Sequence, residues 1–406
     1  MRSGEKRQDP LRIAIIEPEA AGGLAHFSFQ LAGGLTECGA KVDLLAAKGH
    51  ELADEPRDFE MHEVLRLWNK FETVPKGGAA RRLRSIVRPI RRLRRGIRYY
   101  FEWLILTRRI IALKPDVVFF PTVRFPSVYW FARMMKRRGI RLTQVCHEFQ
   151  NREKTGASLL SRWMRQRIYE TFDPIFFLAE SAKSEFEERF GCREATRLIP
   201  HGPQMLFKAT DADARDVERY FGLERGARLV LFFGVLRPSK GVSDLVDAWP
   251  LVDAEPKPVL LVAGHPAKTF DLSGLERQIE ERADGSRIVL RHEYIPNSLV
   301  GPLLSRAEVV VFPYRTAAAS GALSAAQSLG RPVVVTSVGG LAECVGDGET
   351  GLVVPAGSAE ELARAITRLL DDPESAERMG RQGQLIAVKE RSWKMVARRV
   401  LDALEA

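Results

Sequence analysis

Two cations three residues apart, Arg237 and Lys240, lie in the run Phe233-Gly-Val-Leu-Arg-Pro-Ser-Lys-Gly241, directly after an apolar stretch that reads as a strand. Gly234 and Gly241 let backbone pass close to a ligand, and the two cations stand over the same crevice. A diphosphate needs such charge partners, and arginine can grip one through two parallel hydrogen bonds. A solvated turn with two surface cations fits the same spacing. A second run, Ala317-Ala-Ala-Ser-Gly-Ala-Leu-Ser-Ala325, falls between a strand and a helix. Ser320 can cap that helix, and the small residues Gly321 and Ala322 leave its first N–H groups uncovered, which favours an anion. Close helix–sheet packing also calls for small residues there. A third feature is Val338-Gly-Gly-Leu-Ala-Glu343 with Gly346-Asp-Gly-Glu-Thr-Gly351. Glu343 can accept hydrogen bonds from a sugar or ribose, and a plain turn accounts for the glycines equally well.

Loops of this kind need strands to carry them. The first half reads as strands at Leu11–Ile16, Lys41–Ala46, Asp116–Phe120, Leu142–Cys146, Ile175–Leu178 and Thr196–Ile199, with helical patterns between them. After Pro200-His-Gly-Pro203 the alternation restarts, with strands at Leu229–Gly234, Pro258–Gly264, Arg287–Arg291, Glu308–Pro313 and Pro332–Thr336. Helical patterns cover Val242–Val252, Leu275–Ala283, Ser298–Arg306 and Leu323–Leu329, and Ser358-Ala-Glu-Glu361 is a capping box that opens a helical tail. Strand–helix alternation with strands apolar throughout predicts parallel sheets covered on both faces. The expectation is an α/β protein of two doubly wound Rossmann-like domains facing a central cleft. Residues 1–203 plus a C-terminal helix at 385–406 would form one domain, and 204–384 the other. Ligands in such sheets bind beyond the carboxyl ends of the strands. Neither first strand is followed by G-x-G-x-x-G, and G-x-x-x-x-G-K-[ST] is absent, which argues against a dinucleotide oxidoreductase and a P-loop nucleotidase.

The chain has 406 residues, enough for two cores, with 45% hydrophobic and 28% charged residues. No apolar run approaches the ~20 residues that span a bilayer, and Met1–Pro10 lacks a signal-peptide core. A cytoplasmic protein is the expectation. The four cysteines, Cys38, Cys146, Cys192 and Cys344, are too dispersed for a zinc site or a disulfide framework. Asp211-Ala-Asp213 does not follow a strand and reads as a solvated linker, so no metal site is expected.

The set F-G-x-x-R-P-x-K-G, S-G-x-L-x-x-A-x-x-x-G-R-P-V-V, G-G-L-x-E and G-x-x-G-L-V-V-P, spanning about Leu229 to Pro355, resembles the retaining glycosyltransferases of the family 4 group, which have the GT-B fold. The first half resembles them more loosely through Gly22-Gly23, His147-Glu148, Ala179-Glu-Ser-Ala-Lys183 and Ile199-Pro-His-Gly202. The resemblance implies transfer of a glycosyl group, with retention, from a nucleotide-diphosphate sugar bound as substrate, without a cofactor. It assigns Arg237 and Lys240 to the donor diphosphate. Ser320, Gly321 and Ala322 become the phosphate-binding loop, and Gly22 and Gly23 a flexible loop beneath the donor. His147 lines the sugar pocket; a lone histidine at a strand end is otherwise a structural residue. The family's two glutamates, eight positions apart, are replaced by Ala317 and Ala325. That departure keeps two other readings open: a catalytically inactive nucleotide-sugar-binding or partner-binding protein, and a sugar-nucleotide epimerase.

Charge is unevenly distributed. Residues 1–200 hold 37 Lys+Arg against 24 Asp+Glu, whereas residues 201–406 carry a net −3. Nine arginines fall between Arg81 and Arg98, where no acid intervenes between Glu72 and Glu102. Apolar residues 83, 86, 87, 90, 93 and 97 follow one helical stripe, which Pro89 and Gly96 would disturb. A basic amphipathic segment running into Tyr99-Tyr-Phe-Glu-Trp predicts an anionic membrane surface as partner, near a lipid-linked acceptor at the inner face. A solvated helix face is the alternative. No nucleic-acid motif accompanies the charge, so no nucleic-acid partner is expected.

Overall fold

A computed structural model of the protein describes residues 9–66, 80–123, 125–147, 159–191, 193–208, 214–282 and 287–405. Glu148 and Asp211-Ala-Asp213 lie outside the described residues. The chain divides into two compact units, one of Met1–Phe177, Lys183–Ile199 and Trp393–Ala406, the other of Leu178–Ala182 and Pro200–Ser392.

The first unit holds strands β1 (Arg12–Glu17), β2 (Lys41–Ala47), β3 (Glu60–Leu65), β4 (Val117–Phe120), β5 (Arg141–Cys146), β6 (Ile175–Phe177) and β7 (Thr196–Leu198), in the order β3-β2-β1-β4-β5-β6-β7. The second holds β8 (Leu229–Phe233), β9 (Val259–Ala263), β10 (Arg287–Arg291), β11 (Val309–Phe312), β12 (Val333–Thr336) and β13 (Leu352–Val354), in the order β10-β9-β8-β11-β12-β13. Neighbouring strands pair parallel throughout. Parallel strands require crossover connections, and the helices that supply them cover both sheet faces. That explains central strands with no polar alternation: Val259-Leu-Leu-Val-Ala263 and Val309-Val-Val-Phe312 are buried along their whole length.

Two strands go beyond the sequence reading. β3 is an edge strand of mixed polarity, mostly half-exposed, so it lacks the apolar run that marked its neighbours. β13 has three residues and also closes an edge. The tail begins as expected, with Ser358 Oγ accepting the Glu361 amide at 3.4 Å. Its helix, Ala359–Asp371, buries Leu362, Ile366, Leu369 and Leu370 along one side. The arginine-rich segment is one continuous helix, Ala80–Leu113, which passes through Pro89 and Gly96 without a break. Of the nine arginines between Arg81 and Arg98, Arg94 and Arg98 have described side chains, and both are exposed.

In each sheet the strand order reverses direction once, between β1 and β4 and between β8 and β11. At such a reversal the connections leave toward opposite faces, and a crevice opens beyond the carboxyl ends of the two central strands. Of the glycine loops singled out above, three follow β1, β8 and β11, and Gly339-Gly340 follows β12.

Candidate functional site

In the second unit, the segments after β8 and β11 close on one another. Arg237 is extended (φ −142°) and leads into the 3-10 turn Pro238–Lys240, which ends at Gly241 in the left-handed region (φ 62°). A Cβ on Gly241 would stand 1.7 Å from the carbonyl oxygen of Pro313, so only glycine allows this approach. The contact is sealed by the Arg315 and Thr316 amides, which both donate to the Ser239 carbonyl, at 2.9 and 3.4 Å. Arg315 Nε donates to Asp244 Oδ2 at 2.9 Å, holding the far side of the turn. Gly241, read from the sequence as room for a ligand, instead makes room for a neighbouring strand end.

That closure sets the chemistry. Lys240 Nζ stands 3.6 Å from the centre of the Tyr314 ring, a cation–π contact that fixes an otherwise flexible ammonium. The Tyr314 hydroxyl lies 3.2 Å from Ser320 Oγ, and Tyr314 is only 1% exposed. Ser320 in turn accepts the Leu323 amide at 3.2 Å, capping the helix Gly321–Ser328. Lys240, Tyr314 and the head of that helix therefore form one contiguous set, whereas the exposed Arg237 lines a cavity with Asp271, Gln278 and Arg315. Gly234, at the β8 end, has its would-be Cβ 3.9 Å from the Tyr314 hydroxyl. Nothing along the chain singled out Tyr314, because an aromatic residue after a strand is ordinarily core.

Pro200–Gln204 crosses the same helix. Ser324 Oγ donates to the Gly202 carbonyl at 2.7 Å, and the Gln204 amide donates to Ser328 Oγ at 3.0 Å. His201 Nε2 comes to 3.7 Å from where a Cβ on Gly321 would stand. Burial lowers the His201 pKa; its Nδ1 contact with the Gly202 carbonyl opposes that, and the Arg391 charge adds to it. The imidazole is therefore neutral at pH 7. Its run, Ile199-Pro-His-Gly202, was legible in the sequence, but no role for the ring was. Ala322 is half-buried one residue into the helix, and Ala325 is fully buried.

Glu343 has partners that the sequence did not foretell. Its Oε2 accepts the Glu180 amide at 2.6 Å and its Oε1 the Ser181 amide at 2.9 Å. Partial burial works against ionisation, but a hydrogen bond from the Ser181 hydroxyl together with these amide bonds outweighs it and holds the carboxyl below its usual range. The preceding glycines serve packing: Cβ atoms on Gly339 and Gly340 would meet the Ala317 and Ala318 carbonyls at 2.1 and 1.9 Å.

In the first unit, Gly22 (φ 91°) precedes the helix Gly23–Glu37 after β1, and its amide donates to Glu51 Oε1 at 2.5 Å. The same oxygen lies 3.0 Å from His26 Nε2. His147, at the end of β5, sets its ring edge-on to Phe27 of that helix, with centroids 4.7 Å apart. Gly22, Gly23 and His147 are thus gathered around one helix start. Beside Glu51, His50 is 3% exposed and its Nδ1 accepts the Leu52 amide at 3.2 Å. Burial is the main cause that lowers the His50 pKa to about 4; Glu51 and Glu63 oppose it, and His26 and Arg57 assist it. A histidine depressed from 6.5 to about 4 contributes stability that is complete above pH 6.5 and is lost as pH falls toward 4. The loss amounts to about 3 kcal/mol. Chemical denaturation across this pH range should show that slope, and His50→Gln should flatten it; an unchanged slope would reassign it to other groups.

Several known proteins are similar to this chain. The profile described as "Glycosyl transferases group 1" matches residues 227–372, and that described as "Glycosyltransferase Family 4" matches residues 21–203. An alpha-D-kanosaminyltransferase of Streptomyces kanamyceticus is 28% identical over 228 residues, 54% of this chain and 57% of that protein. The chain therefore spans little more than half the length of this relative. A GDP-mannose-dependent alpha-(1-6)-phosphatidylinositol monomannoside mannosyltransferase of Mycolicibacterium smegmatis is 30% identical over 264 residues, 62% of this chain and 67% of that protein. Among solved structures, Anabaena Alr3699/HepE in complex with UDP and glucose superposes with a TM-score of 0.72 at 16% identity, covering 97% of this chain and 99% of that one. At this identity the likeness concerns the fold, which is that of the GT-B glycosyltransferases.

Proposed function

Because the chain belongs to the family 4 glycosyltransferases, we propose that it moves a sugar from a nucleoside-diphosphate donor to an acceptor, with retention of configuration. The observation that carries this reading is the contiguous set of Lys240, Tyr314 and Ser320 at the switch point of the second sheet. In this reading Arg237 and Lys240 neutralise the donor diphosphate, and the Ser320-Gly321-Ala322 turn offers amide hydrogens to its oxygens. Gly234 leaves room over β8. As the glycosidic bond breaks, negative charge grows on the leaving phosphate, and fixed cations and oriented amides stabilise it without reorganising. Charge neutralisation by these side chains makes turnover insensitive to chelators, which an assay with EDTA checks. His147, Gly22 and Gly23 are assigned to the sugar and the acceptor-facing side of the donor. Glu343 is assigned to a donor hydroxyl through the lone pairs its amide contacts leave available.

The phosphatidylinositol-mannoside and kanosaminyl activities belong to the relatives named above. For this chain the proposed acceptor is lipid-linked, in glycoconjugate or polysaccharide assembly, with the basic Ala80–Leu113 helix against an anionic membrane surface. No helix among the described residues is long and apolar enough to cross a membrane, so such contact would be peripheral. Ala317 and Ala325 favour one other reading, a donor-binding protein without turnover. The discriminating experiment follows released nucleoside diphosphate with a panel of nucleotide sugars and acceptors. Binding without release under every pairing would favour the inactive protein.

Tyr314 supplies a graded test. Tyr314→Phe removes the hydroxyl that meets Ser320 and should weaken nucleoside-diphosphate binding about threefold to tenfold. Tyr314→Leu also removes the ring beneath Lys240 and should cost roughly a further tenfold. Calorimetric titration reads both; equal affinities in the two variants would remove Tyr314 from the site.

A further inference from the structure

Three neighbouring helices of the first unit break the rule that a surface helix is polar on its outer side. Ala80–Leu113 packs Trp103, Leu106 and Ile110 inward, yet its outward side carries Ile97, Phe101 and Ile105 at four-residue spacing, with Tyr100 alongside, all 49–55% exposed. Val128–Lys136 repeats the pattern: Phe131 and Met135 point in, while Trp130 and Met134 are 50% and 37% exposed. Leu159–Tyr169 adds Trp163 at 42%.

Ring contacts link the three helices at this side of the unit. The Tyr100 ring is 5.4 Å from Phe131, next in sequence to Trp130, and the Trp130 and Trp163 rings are 6.5 Å apart. The rim is cationic. Arg94, Arg98, Arg108 and Arg109 flank the first stripe, and Arg133 and Arg137 the second, all exposed. Arg167 lies 5.9 Å from the Trp163 ring centre. Among the described residues, Glu102 pairs with Arg98 at 3.4 Å and Glu170 with Arg167 at 2.9 Å. Half-exposed tryptophans ringed by arginines match an interface where one end of the ring is apolar and the surroundings carry phosphate.

We infer that Trp130, Trp163 and the Ile97–Phe101–Ile105 stripe form an insertion edge, which enters the acyl boundary of an anionic bilayer while the arginine rim binds its headgroups. The inference rests on the membrane reading of the basic helix and extends it. Charge alone would hold the protein above the headgroups, whereas this edge buries side chains below them and sets the protein's orientation. Besides the arginine-rich helix, it takes in two helices that the sequence did not connect with the arginine cluster.

The test uses the purified full chain with vesicles of phosphatidylcholine, alone or mixed with phosphatidylglycerol, whose acyl chains carry bromine. Tryptophan emission should be quenched in the anionic vesicles alone. Trp130→Gln with Trp163→Gln should abolish most of that quenching and weaken partitioning roughly tenfold. Phe101→Gln should weaken partitioning without removing a fluorophore. All of these side chains are half-exposed, so the variants should keep the wild-type melting temperature. Binding to anionic vesicles with no bromine quenching would overturn the insertion edge and leave the charge-based membrane contact standing. No binding to any vesicle would remove both, with the donor reading untouched. Self-association abolished by Trp130→Gln would assign the patch to a second copy of the chain and overturn the proposal.

Discussion

Replacing Lys240 by alanine is expected to lower turnover by about 100- to 1,000-fold, and Arg237→Ala by a comparable factor. In the proposed reaction both cations face charge that is larger in the transition state than in the bound donor, so the loss should fall mainly on kcat. Lys240 differs from an ordinary surface lysine because its ammonium is held 3.6 Å above the buried ring of Tyr314. Its position is therefore fixed before the donor arrives. Lys240→Arg keeps the charge but not the compact fit over the ring, and should recover only part of the activity. The thermal stabilisation that a nucleoside diphosphate gives the wild type should vanish in Arg237→Ala and Lys240→Ala, because binding to the folded state is what raises the melting temperature. An undiminished shift in both variants would sink the proposed site.

The second large effect is on the fold around that site. Gly241→Val should destabilise the second unit by about 3 kcal/mol or more and lower its melting temperature by roughly 10 °C. Two causes combine. The residue sits at φ 62°, where a β-branched side chain is strained, and its Cβ would overlap the Pro313 carbonyl oxygen at 1.7 Å. The backbone fixes the Cβ position and the oxygen is itself backbone, so no rotamer change relieves the clash. The segments after β8 and β11 must separate, and Lys240 then leaves the Tyr314 ring. Gly348→Val is the control, since Gly348 has a similar φ of 74° and nothing within 4 Å of its would-be Cβ. It should cost only the backbone strain, about 1–2 kcal/mol, and leave nucleotide binding intact. Equal losses in the two variants would mean that the loop contact contributes nothing.

Much of this molecule is written locally. Runs such as Val309-Val-Val-Phe312 and Val259-Leu-Leu-Val-Ala263 are apolar without alternation because both faces of a parallel sheet are covered, so strand positions and the doubly wound class follow from the residues alone. The same holds for helix starts at Ser320 and Ser358, where a hydroxyl three residues before an amide is sufficient. The cations at Arg237 and Lys240 could be read as a phosphate site because charge type and glycine spacing are local properties. Edge strands were less legible: β3 and β13 lack two buried faces and so lack the apolar signature.

Tertiary structure decided which of those residues act together and what the glycines are for. Tyr314 joins Lys240 to Ser320 because β8 and β11, distant in sequence, are neighbours in the sheet. Gly241 and Gly340 are required by the carbonyls of Pro313 and Ala318, which spacing along the chain does not disclose. Glu343 meets the amides of Glu180 and Ser181, residues separated from it by most of the second unit's sequence. The exposed face shared by Phe101, Trp130 and Trp163 exists because their three helices pack side by side. Propensity, charge and hydrophobic period act over a few residues, so the sequence by itself determined the elements and the chemical groups at their ends. Contact between loops depends on strand order and register, which the packing of the whole sheet sets.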